Sequence, residues 1–99
     1  MSKVLFSIKY EVLDDKIEEY HDVIREVKIV VKAEGLEEYK VFSLKGKKNQ
    51  YEEIYTFENM EAYDSFDDDS NERVDLLMHK LSDIIKPHTT QYSTLNEII

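Results

Sequence analysis

Apolar residues recur at every second position near the start of the chain: Val4, Phe6, Ile8, Tyr10 and Val12. That period predicts a strand over residues 3–12, with Leu5, Ser7, Lys9 and Glu11 on its other face. The period then lengthens. Ile17, Tyr20, Ile24, Val27 and Val31 follow at helical spacing, with Val23 and Val30 widening one edge. The stripe predicts a helix from Asp15 to Ala33. Asp14 and Asp15 supply N-cap chemistry, and Glu18 stands in capping-box spacing to Asp15. Gly35, after Glu34, suits the left-handed position that ends a helix.

Two further period-2 segments flank the turn Lys45-Gly46-Lys47-Lys48-Asn49. In the first, Leu36 to Leu44, the residues Tyr39, Val41 and Ser43 oppose Lys40, Phe42 and Leu44. In the second, Gln50 to Phe57, the residues Tyr51, Glu53, Tyr55 and Phe57 oppose Glu52, Ile54 and Thr56. Asn59 can cap a short helix through Met60, Ala62, Tyr63 and Phe66. Val74, Leu77, Met78, Leu81, Ile84 and Ile85 form a second helical stripe, predicting a helix from Asn71 to Lys86 that Pro87 terminates. Asp69 and Glu72 have capping-box spacing at its start. A last extended run covers Thr89 to Ile98. The order is βαββαβ. It predicts an α+β, ferredoxin-like fold: a four-stranded antiparallel sheet with helices on one face.

The middle strands carry apolar residues on both faces, whereas helices are expected on only one. The other face needs a second cover, and the simplest is another subunit. A homodimer is therefore expected.

Ninety-nine residues predict one domain, 1–99, which buries roughly 65% of its unfolded surface. An apolar fraction of 41% with 11% aromatics suffices for a core and argues against disorder. The charge changes the picture more. With 22 acidic and 13 basic residues the net charge is −9, so nucleic acid and anionic membrane surfaces are poor partners. Lys45, Lys47 and Lys48 read as a solvated hairpin tip. The absence of cysteine excludes disulfides, thiolate metal sites and thiol catalysis. With no leader-like N-terminus and no run near 20 apolar residues, a cytoplasmic location is expected.

Two glycines, Gly35 and Gly46, are too few for phosphate-cradling loops. No histidine pair has the i, i+4 spacing of a helical metal site, and Asp67 to Asp69 lack the Gly and terminal Glu of a calcium loop. No cofactor is expected; the purified protein should be colourless and free of stoichiometric metal.

Three histidines remain as candidate chemistry. His79 falls about 160° from the centre of its helix's apolar stripe and so faces solvent, with Leu76 near it. His88 follows Pro87 and reads as a turn residue. His21, on the flank of the first helix, is the candidate acid/base group, because its unperturbed pKa lies near neutrality, roughly 6.5. Tyr20 beside it, with Tyr10 and Phe6 from the first strand, would form a substrate-binding wall between that helix and the sheet. Seven tyrosines are mostly strand packing, though some can supply the few hydroxyls of an apolar pocket.

The whole layout resembles a dimeric α+β barrel protein. The passage Tyr55-Thr56-Phe57-Glu58-Asn59-Met60-Glu61-Ala62-Tyr63-Asp64-Ser65-Phe66 is similar to the strand, aromatic, short-helix segment of the antibiotic-biosynthesis monooxygenase-like and stress-responsive barrel families. The resemblance implies two sheets paired across a dimer and a pocket between sheet and helices. Some members of those families oxidise polycyclic aromatics without a cofactor; others degrade haem, isomerise lactones or have no known activity. The haem-degrading members use a Trp, which this chain lacks, and Phe57 stands roughly where many members carry it. His79 lies near a helical histidine position of those enzymes. The implied function is a homodimeric small-molecule-binding protein, of the kind that includes cofactor-independent monooxygenases acting on apolar or aromatic compounds. The alternative is a non-catalytic stress-related or assembly protein of the same fold. An open helix–sheet cleft lined by His21 or tyrosine hydroxyls favours the first; a cleft filled by Phe, Leu and Ile side chains favours the second.

Overall fold

A computed structural model describes residues 2–66 and 72–99. Its elements are β1 (Val4–Glu11), α1 (Ile17–Val30), β2 (Leu36–Ser43), β3 (Gln50–Phe57), α2 (Met60–Ser65), α3 (Glu72–Ile84) and β4 (Gln91–Asn96). The four strands form one antiparallel sheet in the order β2-β3-β1-β4. This is the ferredoxin-like α+β arrangement that the periodicities predict.

Alternation sorts the strand residues onto two faces. The register pairs Phe6 with Tyr55, Ile8 with Glu53 and Tyr10 with Tyr51, so these share the face that the helices cover. Tyr39 and Val41 join them from β2, and Tyr92 and Thr94 from β4. Against that face α1 buries Tyr20, Val23 and Val27, while α3 buries Leu77, Leu81 and Ile84. Each such side chain removed from water stabilises the fold by roughly 1.5–3 kcal/mol. The opposite face carries Leu5, Ile54, Phe42 and Leu95 between polar neighbours. No helix among the described residues lies over it.

The element ends depart from the sequence pattern in physically readable ways. The first helix stops at Val30, not Ala33. Val31 is already extended, with ψ 114°, although its N–H still reaches the Val27 carbonyl at 2.8 Å. Leaving the helix lets this stiff β-branched residue bury its side chain in the core. The expected capping box of Asp15 and Glu18 does not form, because a one-turn 3-10 helix, Asp14–Lys16, precedes α1 and no side chain caps either start. Asp14 instead accepts a 2.9 Å bond from the Asn49 side chain and pairs with Lys48 at 3.2 Å, tying the hairpin turn to the start of the helix. Asn59 does cap α2, accepting from the Ala62 N–H at 2.8 Å. The expected cap of Asp69 and Glu72, the start of the last helix at Asn71, and the acidic run Asp67 to Asp69 lie outside the described residues. The helix is described from Glu72 and ends at Ile84, before Lys86. The final strand spans Gln91–Asn96, shorter at both ends than Thr89 to Ile98.

Gly35 is left-handed at φ +83°, yet it does not cap the helix, which ends five residues earlier. It shapes the turn into β2 and lets α2 approach. A Cβ at Gly35 would stand 2.4 Å from the Ala62 Cβ, and the Gly35 carbonyl accepts from the Glu58 N–H at 2.8 Å. Gly35→Ala should therefore cost about 2–3 kcal/mol, from left-handed strain plus the clash. Gly46 has φ +79° but nothing within 4 Å of a built Cβ. Gly46→Ala should carry only the strain, about 1 kcal/mol. Denaturation midpoints of the two variants, measured side by side, check the difference.

Candidate functional site: a buried glutamate among tyrosines

The inner face of β3 reads Tyr51, Glu53, Tyr55, Phe57. Alternation on a central strand thus aims a carboxyl group into the core. Glu53 is completely buried, at 0% exposure. Burying an ionisable group without partners costs several kcal/mol, so the question is what satisfies it. Two phenols do. Tyr10 donates to Glu53 Oε2 at 2.7 Å and Tyr39 donates to Oε1 at 2.5 Å. Tyr10 has one hydroxyl proton and gives it to Glu53. The 2.8 Å bond between Tyr10 and Tyr20 is then donated by Tyr20. The chain of hydroxyls runs Tyr20 to Tyr10 to Glu53, with Tyr39 closing the other side. Among the described residues no buried side-chain nitrogen or oxygen lacks a partner.

These partners are neutral hydroxyls. Burial therefore raises the Glu53 pKa above the ordinary carboxylate range, and the tyrosine bonds offset this only in part. The phenols are pushed up as well. For Tyr10, Tyr39 and Tyr55 the first cause is burial and the second is the charge of Glu53. Burial is also the first cause for Tyr20. The four phenols hold their protons tightly at neutral pH.

A cavity of about 420 Å³ adjoins the cluster, beneath the C-terminal half of α3 and beside β4. Its volume lies within the range of small-molecule pockets, roughly 300–1,000 Å³. Its sheltered lining is Ile8, Tyr10, Glu53, Met78, Leu81 and Ile85; its exposed rim is Ser82, Lys86, Pro87, His88, Thr90 and Tyr92. A hollow of similar size, about 440 Å³, lies between the end of α1 and β2, but charged side chains dominate it. The cavity beside Glu53 has the apolar walls and sparse polar groups of a ligand site.

The candidate residues read from the sequence fall unevenly around this site. Tyr10 belongs to both the hydrogen-bonded cluster and the cavity lining. Tyr20 is fully buried one bond further out. Phe6 is half-buried, its ring stacked on Tyr92 at 6.1 Å and tilted against Tyr55 and Tyr63. His21 is exposed on α1, its ring 5.9 Å from both Tyr20 and Tyr51. The space between α1 and the sheet is occupied by Tyr20, Val23 and Val27. His79 is exposed on the outer face of α3, as its phase predicts. The residue that sequence reasoning passed over is Glu53. Its signal was present: a lone acid at an inward position between Tyr51 and Tyr55. Among the described residues no group of three or more His, Asp or Glu side chains is placed to hold a metal ion, and no helix is long and apolar enough to cross a membrane.

No protein-family model matches the chain, and no curated protein matches it. Solved structures do. A candidate antibiotic biosynthesis monooxygenase from Caulobacter crescentus superposes with a TM-score of 0.80 at 12% identity, over 99% of this chain and 92% of that one. A conserved protein from Methanosarcina mazei gives 0.79 at 14% identity, over 96% and 92%. A NIPSNAP family protein from Agrobacterium tumefaciens gives 0.74 at 16% identity, over 94% and 90%. With its sheet order, its helices on one face and these superpositions, the chain has the ferredoxin-like α+β fold of the antibiotic biosynthesis monooxygenase-like proteins.

Proposed function

We propose that this chain is a small-molecule-binding α+β barrel protein that works as a homodimer, and that it acts on an apolar or aromatic compound in the manner of a cofactor-independent monooxygenase. The cavity beside Glu53 carries this reading, because it joins apolar walls to a buried, hydrogen-bonded phenol–carboxyl pair. Oxygenation without a cofactor requires a proton to leave the substrate before it meets dioxygen. In this reading the proton passes to Tyr10, which hands its own to Glu53 across their 2.7 Å bond, and His21 is the second acid/base candidate. The fold shared with a Caulobacter candidate monooxygenase is compatible with this reading but does not by itself assign chemistry. The non-catalytic alternative draws support from one observation: the α1 side of the sheet, beside His21, is filled with side chains.

A ligand-observed NMR screen of planar aromatic compounds separates the two. The binding reading expects hits that Met78→Trp, which fills the cavity from α3, abolishes. Hits that bind this variant unchanged, or a screen without hits, favour the alternative. The same hits test His21: a site role requires that His21→Ala weaken them.

The homodimer rests on the open face of the sheet. Phe42 is 52% exposed and Leu95 49% exposed there, and every residue of β4 is exposed. A second copy covering this face should bury about 1,600 Å² in total, as ordinary specific interfaces do. Light scattering at micromolar concentration should return twice the chain mass, and Phe42→Glu with Leu95→Glu should shift it to the monomer. A monomeric parent protein overturns the barrel.

A further inference from the structure

We propose that the ligand of this cavity is an apolar monocarboxylate, with its carboxylate at the Lys86–His88 rim and its body against Ile8, Met78, Leu81 and Ile85. The inference rests on reading the cavity as a ligand site and adds the class of compound.

The first argument is charge. The chain carries a net −9, and two other hollows reflect it, while the hollow at the end of α1 mixes Lys28, Lys32 and Lys40 with Glu37 and Glu38. One of the two is lined by Glu34, Glu58 and Glu61, the other by Glu19, Asp22, Glu26 and Asp83. The rim of this cavity instead presents Lys86 and His88, and among the described residues the only carboxyl in its lining is Glu53, held by its tyrosine bonds. A basic rim on an acidic molecule selects for an anion and against the cations that the rest of the surface attracts.

The second argument is geometry. His88 is held at φ +67°, a region non-glycine residues seldom occupy. Hydrogen bonds strap its turn to β1: the Lys86 N–H donates to the Glu11 carbonyl at 2.8 Å, the Glu11 N–H to the Thr89 hydroxyl at 3.2 Å, and that hydroxyl to the Lys86 carbonyl at 2.7 Å. Backbone held this way against its preference is found disproportionately at ligand-facing positions. Here it fixes the imidazole at the rim, where either tautomer offers an N–H donor. Lys86 has an ion pair with Glu11, but at 3.5 Å and solvent-exposed it is weak, and a ligand carboxylate can compete for the ammonium. The end of α3 disfavours anions through its dipole, but its Ile84 carbonyl is already taken by the Leu13 N–H at 2.9 Å.

The third argument is polarity along the cavity. A carboxylate at the sheltered end would meet Glu53 and lose its water; at the rim it keeps water and gains two donors. The ligand therefore enters body first.

Calorimetry with naphthalene-2-carboxylate and its neutral amide tests this on the whole protein, with the Met78 methyl resonance reporting the place of binding. The acid should bind about tenfold tighter than the amide and shift the Met78 methyl. Lys86→Gln and His88→Asn should each remove most of that advantage while leaving the amide unaffected; Asn tolerates the left-handed turn, so the fold is kept. Equal binding of acid and amide at the Met78 site, or an advantage that survives both variants, overturns the carboxylate assignment and leaves the cavity reading standing. Binding of neither compound, or binding without a Met78 shift, overturns both.

Discussion

Glu53→Ala should lower the free energy of unfolding by about 3–5 kcal/mol, among the largest losses from a single substitution in this chain. The reason is the company Glu53 keeps. Tyr10 and Tyr39 both spend their hydroxyl protons on one carboxyl group. Removing it leaves buried donors without acceptors, each a loss of about 1–3 kcal/mol, and opens a void in the sheet–helix core. Glu53→Gln keeps an acceptor oxygen and should cost less. Glu53→Leu together with Tyr10→Phe, Tyr20→Phe and Tyr39→Phe removes both sides of the bonds, so the quadruple variant should recover much of the stability lost in Glu53→Ala. If Glu53→Ala unfolds at the parent's denaturant midpoint, the network is ornamental.

The same residue sets a pH dependence whose sign follows from burial. Its folded pKa is raised above the unfolded value, roughly 4.3, so the native state holds a proton that the unfolded chain releases. Stability from this group is fully present below about pH 4.3 and declines as pH rises toward the folded value. The difference between parent and Glu53→Gln, measured by denaturant unfolding from pH 4 upward, isolates the effect: the parent's advantage shrinks as pH rises above the unfolded value and levels off past the folded one. At higher pH the tyrosines add to it. Tyr10, Tyr20, Tyr39 and Tyr55 have raised pKa values, so stability falls once pH passes the ordinary tyrosine value of about 10. Phenolate absorbance should show them ionising only as the protein unfolds.

Leu81→Ala is the second large effect, at roughly 2–5 kcal/mol. Leu81 is buried between α3 and the sheet and also borders the cavity, so truncation enlarges an existing void that the surroundings cannot close. His79, two residues away on the exposed face, is the matched control: His79→Ala should change stability by less than about 0.5 kcal/mol. Equal losses for the two would mean that the helix is rotated from the phase described.

Leu81 and His79 also show how much of the fold could be read from the chain. Helical phase and strand alternation are local properties, and they placed these two residues, the strand faces and the βαββαβ order correctly. Helix ends were harder. Val31 leaves α1 because its side chain finds a better site in the core, a choice that 3.6-residue spacing cannot reveal. Gly35 advertised a left-handed turn, but only the approach of Ala62 explains why the turn must be there.

The site divides in the same way. That the chain is acidic, lacks cysteine and alternates Tyr-Glu-Tyr on one strand face belongs to the sequence alone, because composition and period-2 alternation need no partner. That Glu53 is sealed by hydroxyls from Tyr10 on β1 and Tyr39 on β2, and that Lys86 and His88 frame a cavity reaching it, was decided by the tertiary structure. Those residues are far apart in the chain, and it is the register between strands, together with the packing of α3 across them, that brings their side chains within bonding distance. A buried carboxyl group becomes tolerable only when such distant donors converge, so its role could not be read from the strand that carries it.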